Sequence, residues 1–118
     1  MNREPTLIKR SDWARDEDLW VGRFEGGEVG TNVTVLFFSS DRVGSGPKLH
    51  VHPYDEIFII RQGRVRFTVD DRSFEAEAGQ IVFGPAEVPH KFENLGPDRL
   101  ETTDIHLNDR FIQTDLED

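Results

Sequence analysis

The sequence predicts an all-β fold. Short runs rich in β-branched and aromatic residues recur between turn formers at intervals of roughly eight to twelve residues. Within several of them apolar and polar residues alternate, as in a strand with one buried face. No stretch carries a sustained 3.6-residue apolar period. That spacing belongs to a β-sandwich or barrel.

The elements follow in order. Residues 1–19 are polar and charged, with room in "DWARDEDLW" for a short helical turn at most, and form an expected N-terminal arm. The barrel is expected over 20–110. Its first clear strand is "TNVTVLFFSS" (31–40), followed by "DEIFII" (55–60) and, after "RQG", by "RVRFTV" (64–69). Asp70 and Asp71 suit a tight turn into "SFEAEA" (73–78). "GQIVFGP" (79–85), "HKFENL" (90–95) and "RLETTDIHL" (99–107) complete the set, each bounded by Gly, Pro, Asn or Asp. Residues 111–118 read as an acidic tail. With no repeat, low-complexity tract or linker-like shift, one domain spanning 1–118 is expected, long enough to bury its own core.

Composition excludes several classes. A formal charge of -9 argues against nucleic acid and against an anionic membrane surface, both of which need a basic face. No apolar run approaches the roughly eighteen residues of a membrane helix. There is no cysteine, hence no disulfide, thiolate metal site or thiol nucleophile. The opening "MNREPTLIKRSDW" lacks the apolar stretch of a secretory signal, so a cytoplasmic location is expected.

Chemistry concentrates in "LHVHPYDEI" (49–57). Residues two apart share a strand face, so His50 and His52 point the same way, with Lys48 in the same parity. "PYD" reads as a turn, because Pro53 cannot donate to a ladder and Asp55 favours turns. Glu56 then opens the next strand, where its carboxylate can return to the same point. Two imidazoles and a carboxylate make a facial set for a divalent metal with positions left open. A bare His-x-His fits equally well with two hydrogen-bonded or exposed histidines beside a surface acid.

The flanking residues narrow the choice. "GSGPKLHVHPYDEIFIIRQG" (44–63) fits G-x5-H-x-H-x3-E-x6-G at every specified position, and "GQIVFGPAEVPHKFEN" (79–94) fits G-x5-P-x-G-x2-H-x3-N at all but one. These resemble the two motifs of the cupin superfamily, and the chain is similar to small single-domain bacterial cupins. The resemblance implies a jelly-roll barrel, or double-stranded β-helix, with a metal inside held by His50, His52, Glu56 and His90. It implies a divalent transition metal (iron, manganese, nickel, zinc, cobalt or copper) and a small-molecule substrate or ligand. The activities implied are those of dioxygenases, sugar isomerases and epimerases, or decarboxylases. Alternatives are a non-catalytic metal-dependent binder of a sugar or organic acid and a storage or structural barrel.

The departure is Glu87, which stands where the second motif has glycine. A glycine there permits a positive φ, which glutamate adopts only at a cost. Outside the motifs, Leu100, Thr102, Asp104 and His106 share one strand face, while Glu101, Thr103, Ile105 and Leu107 share the other. His106 is expected on the surface, and Asp104 is open between pocket and surface. Tyr54 is expected as a packed or edge aromatic. Lys48 and Arg66 are candidates for gripping an anionic substrate, against the plainer reading of strand-edge charges. On "EIFIIRQ", Phe58 and Ile60 follow Glu56 inward, leaving Ile57 and Ile59 outward as an apolar patch that a homodimer, the common state of small cupins, would bury.

Overall fold

Two antiparallel five-stranded sheets face one another in the computed structural model, which describes residues 3–118. The first holds β1 (Gly22–Glu25), β2 (Thr34–Ser40), β9 (Leu100–His106), β4 (Glu56–Gln62) and β7 (Ile81–Gly84), in that spatial order. The second holds β10 (Thr114–Asp115), β3 (His50–Val51), β8 (His90–Asn94), β5 (Arg64–Val69) and β6 (Arg72–Glu77). The chain passes repeatedly from one sheet to the other, which is the jelly-roll course. Each strand run expected from the sequence lies on one of these elements. Asp70 takes a positive φ of 57 in the tight turn between β5 and β6.

Strand parity places the core. On β4 the inward residues are Glu56, Phe58 and Ile60, and on β9 they are Leu100, Thr102, Asp104 and His106. Phe58, Ile60, Val65, Phe67, Val82, Phe92 and Leu100 bury one another at one end of the barrel. Phe58 meets Phe67 edge-on at 4.8 Å between ring centroids. The crossing from β4 to β5 turns at Gly63, whose φ is 89 and where a Cβ would stand 2.5 Å from the Arg99 carbonyl oxygen. Only glycine meets both conditions.

Both ends of the described chain join this frame. The arm forms a short helix, α1 (Arg10–Trp13), and Trp13 stacks on Phe37 of β2 at 3.7 Å. Trp20 meets Phe37 edge-on, donates its indole N–H to Thr103 Oγ1, and lies under the Arg61 guanidinium at 3.9 Å. The arm therefore covers the β2–β9 part of its own outer sheet face. The segment read as an acidic tail contributes β10, which pairs Thr114 with Val51 and Asp115 with His50. The β4–β7 part of the outer face stays open: Ile57 stands opposite Phe83 and Ile59 opposite Ile81. Ile81 is 66% exposed and Phe83 56%.

Candidate metal centre

Two cross-strand pairs build the site. On the second sheet His50 of β3 stands opposite His90 of β8. On the first, Glu56 of β4 stands opposite His106 of β9. All four side chains point into the barrel, and His52 joins them from the crossing that follows β3. The turn "PYD" closes as expected, with Asp55 Oδ1 accepting the backbone N–H of Ala86 at 2.8 Å. His50, His52, Glu56 and His90 each offer a ligand atom, all within 4.8 Å of one another, and all four are buried.

The hydrogen bonds of the imidazoles show what the cluster fits. Three backbone carbonyls accept the Nδ1–H groups: Lys48 from His50 at 2.6 Å, Ile112 from His52 at 2.6 Å, and Val88 from His90 at 3.1 Å. Each neutral ring then carries its lone pair on Nε2, the arrangement that metal-bound histidines use. Nε2 of His52 has no hydrogen-bond partner among the described residues. His52 Nε2 and His90 Nε2 both lie 3.2 Å from Glu56 Oε1. Lone pairs and a carboxylate oxygen at that range repel unless a positive centre lies among them. The four residues are thus a donor set that could hold a metal ion.

The electrostatics agree. Burial pushes His50 down to about 4, partly offset by its bond to the Lys48 carbonyl, so the ring is neutral near pH 7. Burial alone would raise the Glu56 carboxyl, but hydrogen bonding, from His106 above all, outweighs it and holds the group well below the usual range. It remains a carboxylate, the form in which it could ligate a metal.

His106 corrects the expectation that placed it on the surface. It is 2% exposed, and its Nε2 lies 3.0 Å from Glu56 Oε2. Its Nδ1 meets the Tyr54 hydroxyl at 2.6 Å, and that hydroxyl also accepts the Ile112 N–H at 3.1 Å. The Tyr54 O–H also lies 3.0 Å from the Ile112 carbonyl; with the His106 Nε2–H assigned as the donor to Glu56, His106 Nδ1 is left to accept from Tyr54, the opposite tautomer to the other three rings. His106 therefore orients the carboxylate. Ile105 and Leu107 made the other strand face look like the inner one. The parity is set instead by pairing with β4 and by Leu100, which is fully buried. Tyr54 is packed, as expected, and carries this hydrogen bond besides.

Other candidates separate clearly. Lys48 is exposed, and its carbonyl rather than its ammonium serves the site. Arg66 points outward and pairs with Glu75 at 3.2 Å, a strand-surface charge. Glu87 is exposed and takes a positive φ of 67, the conformation that the missing glycine would have supplied, while its N–H donates to the His52 carbonyl at 2.8 Å. Asp104 points inward and is buried. A cavity of about 410 Å³ opens from the cluster, walled by Leu36, Phe38, Phe58 and Phe92, with the exposed Arg15 and Arg23 also on its lining. Neither arginine was signalled by the sequence, because nothing local shows that the arm and β1 approach the histidines.

Comparison with known proteins bears on the family and the fold. An uncharacterised protein of Methanocaldococcus jannaschii is 42% identical over 55 residues, 46% of this chain and 44% of that protein. The polyketide synthase CurC of Streptomyces cyaneus is 28% identical over 81 residues, 68% of this chain and 52% of that protein. The chain thus spans about half the length of these relatives. Oxalate decarboxylase of Bacillus subtilis, a protein with Mn(II) centres, superposes with a TM-score of 0.74 at 23% identity, over 80% of this chain and 27% of that one; this shows the shared fold. No helix among the described residues is long and apolar enough to cross a membrane. The family described as Cupin domain is matched by residues 38–106, a span that encloses both motifs and ends on His106, and on that match the chain belongs to the cupin superfamily.

Proposed function

We propose that the chain is a metal-dependent enzyme acting on a small organic molecule, of dioxygenase, isomerase or epimerase, or decarboxylase type, with His50, His52, Glu56 and His90 as the metal ligands. One observation carries this reading: three buried imidazoles each give Nδ1–H to a backbone carbonyl and turn Nε2 toward one point beside a buried carboxylate. A divalent ion bound there would supply a Lewis acid for a carbonyl or hydroxyl oxygen. The chain's own groups do the rest. His106 and Tyr54 fix the Glu56 carboxylate, and the phenylalanine wall excludes water from the inner end of the cavity. Histidine and carboxylate donors suit iron, manganese, nickel, zinc, cobalt or copper alike.

The names of the relatives support small carbonyl or carboxylate compounds as the substrate class, since one is a decarboxylase of oxalate and another a polyketide synthase. The test is metal analysis of untagged protein, followed by oxygen uptake against small acids, diketones and phenols. Oxygen consumption supports a dioxygenase, and turnover of a sugar without oxygen supports an isomerase. Saturable binding with no turnover supports the non-catalytic binder. Protein that takes up no metal overturns both.

The open β4–β7 face supports a homodimer. Ile57, Ile59, Ile81 and Phe83 form a contiguous apolar surface of the kind that a lone soluble protein seldom exposes. The arm leaves it uncovered because it lies over Phe37 instead. Sedimentation should show a dimer at low micromolar concentration, and a charge at Ile59 or Phe83 should split it with metal retained. A monomer at every concentration would refute the pairing.

A further inference from the structure

Asp104 is a buried carboxyl that metal binding does not use. It stands between Leu36 and Phe58 in the register of the first sheet and is 5% exposed on the inner face. It lines the cavity, and its Oδ1 has no hydrogen-bond partner among the described residues. A buried carboxyl oxygen without a partner is costly, so such a group in a cavity wall points to a ligand atom that completes it. Asp104 is diagonal to Glu56 across the β4–β9 pair, a separation of about 7–8 Å between Cα atoms. The acid and the metal cluster are therefore one small molecule apart. Between and around them the wall is Leu36, Phe38, Phe58 and Phe92.

Burial first, and the negative Glu56 second, push the Asp104 carboxyl well above the usual range, with the neighbouring Thr102 hydroxyl acting the other way. The first two effects favour the protonated form, in which the carboxyl is a donor. Its complement is an oxygen acceptor rather than an ammonium.

We propose that Asp104 contacts the substrate, donating its O–H to a carbonyl or enolate oxygen of a molecule that has an apolar body and a second oxygen directed at the metal cluster. 2-Oxo acids and 1,3-dicarbonyl compounds with aryl or alkyl groups share that chemistry. The exposed Arg15 and Arg23 on the lining favour the anionic members. The proposal rests on the metal reading above and adds the substrate class and the residue that selects it.

Cobalt(II)-loaded protein gives a direct test, because its visible absorption reports ligands entering the metal's surroundings. Phenylpyruvate and benzoylacetone are the probes, and 2-phenylethylamine, an ammonium with the same ring and no carboxylate, is the cationic control. Either carbonyl probe should shift the spectrum saturably in the wild type, and 2-phenylethylamine should not. Asp104→Asn keeps a donor of the same shape and should bind close to wild type. Asp104→Leu should bind about tenfold more weakly with cobalt affinity unchanged. Infrared difference spectra should show a protonated-carboxyl band that is absent in Asp104→Asn and moves when the probe binds. That measurement decides the matter if Asp104→Leu fails to fold. Equal binding by Asp104→Leu, binding of 2-phenylethylamine in preference, or a cobalt spectrum unmoved by both carbonyl probes overturns the proposal. Failure to take up cobalt at all overturns the metal reading, and this proposal with it, by a different signature.

Discussion

The inner faces of β4 and β9 carry two unlike regions on the same two strands. Toward one end stand Ile60 and Leu100, joined to Phe67 and Val65 in a dry hydrophobic cluster. Toward the other stand Glu56 and His106, with Asp104 between the two regimes. The backbone geometry is continuous, so only the side chains change the medium. A metal site in this barrel therefore needs no architecture of its own. It needs polar residues at successive inward positions, backed by an apolar end that holds the strands in register when those polar groups repel one another.

This contrast predicts where substitutions act. The largest effect belongs to the apolar end: Phe67→Ala should cost about 3–5 kcal/mol in chemical denaturation, enough to threaten folding with or without metal. Stripping the metal acts on the other end. A chelator should lower the melting temperature without unfolding the chain, with a loss of about 3 kcal/mol relative to protein holding metal at a hundred times Kd. A melting curve indifferent to chelator and to added metal would break the comparison, because the polar end would then be inert.

Acid should also strike the polar end first. Burial pushes His50 down from 6.5 to about 4, so the unfolded chain takes up its proton in that window while the folded chain does not. Metal-free stability should be fully present above 6.5 and decline as pH falls toward 4. Metal occupancy should fall across the same range, since protons compete for the imidazoles. Denaturant midpoints and bound metal measured through the window test both, and full metal retention at its lower end would count against the ligand assignment.

Smaller effects sharpen the picture. Tyr54→Phe removes the hydroxyl that supports His106 and should weaken metal affinity about tenfold, while the apolar end keeps its stability. A titration with a competing chelator reads this, and unchanged affinity would leave His106 as mere packing. Least of all, Glu87→Gly should stabilise the protein by about 1 kcal/mol, by relieving the left-handed backbone of a residue whose side chain faces solvent.

The parts legible in the sequence were those governed by local rules. His50, His52 and Glu56 could be placed together because strand parity and one short turn fix them, and motif spacing added His90. The strand runs stood out because turn formers separate them. His106 depended on which face of β9 meets β4, a fact of tertiary pairing that Ile105 and Leu107 obscured. Thr114 and Asp115 carry no strand signal in their side chains, and their pairing follows from the open edge of β3. The approach of Arg15 and Arg23 to the cavity required knowing that Trp13 docks on Phe37.

The Ile112 carbonyl has a consequence for the order in which the protein matures. It accepts the Nδ1–H of His52 across 60 residues of chain, and the same residue's N–H is taken by Tyr54. During synthesis His50, His52 and Glu56 leave the ribosome long before His90, and all of them before Ile112. Until then nothing holds the His52 ring in the tautomer that frees Nε2. Closing so long a loop is slow relative to forming the hairpins nearby. Capture of a metal by these residues would therefore wait until the segment around Ile112 has docked.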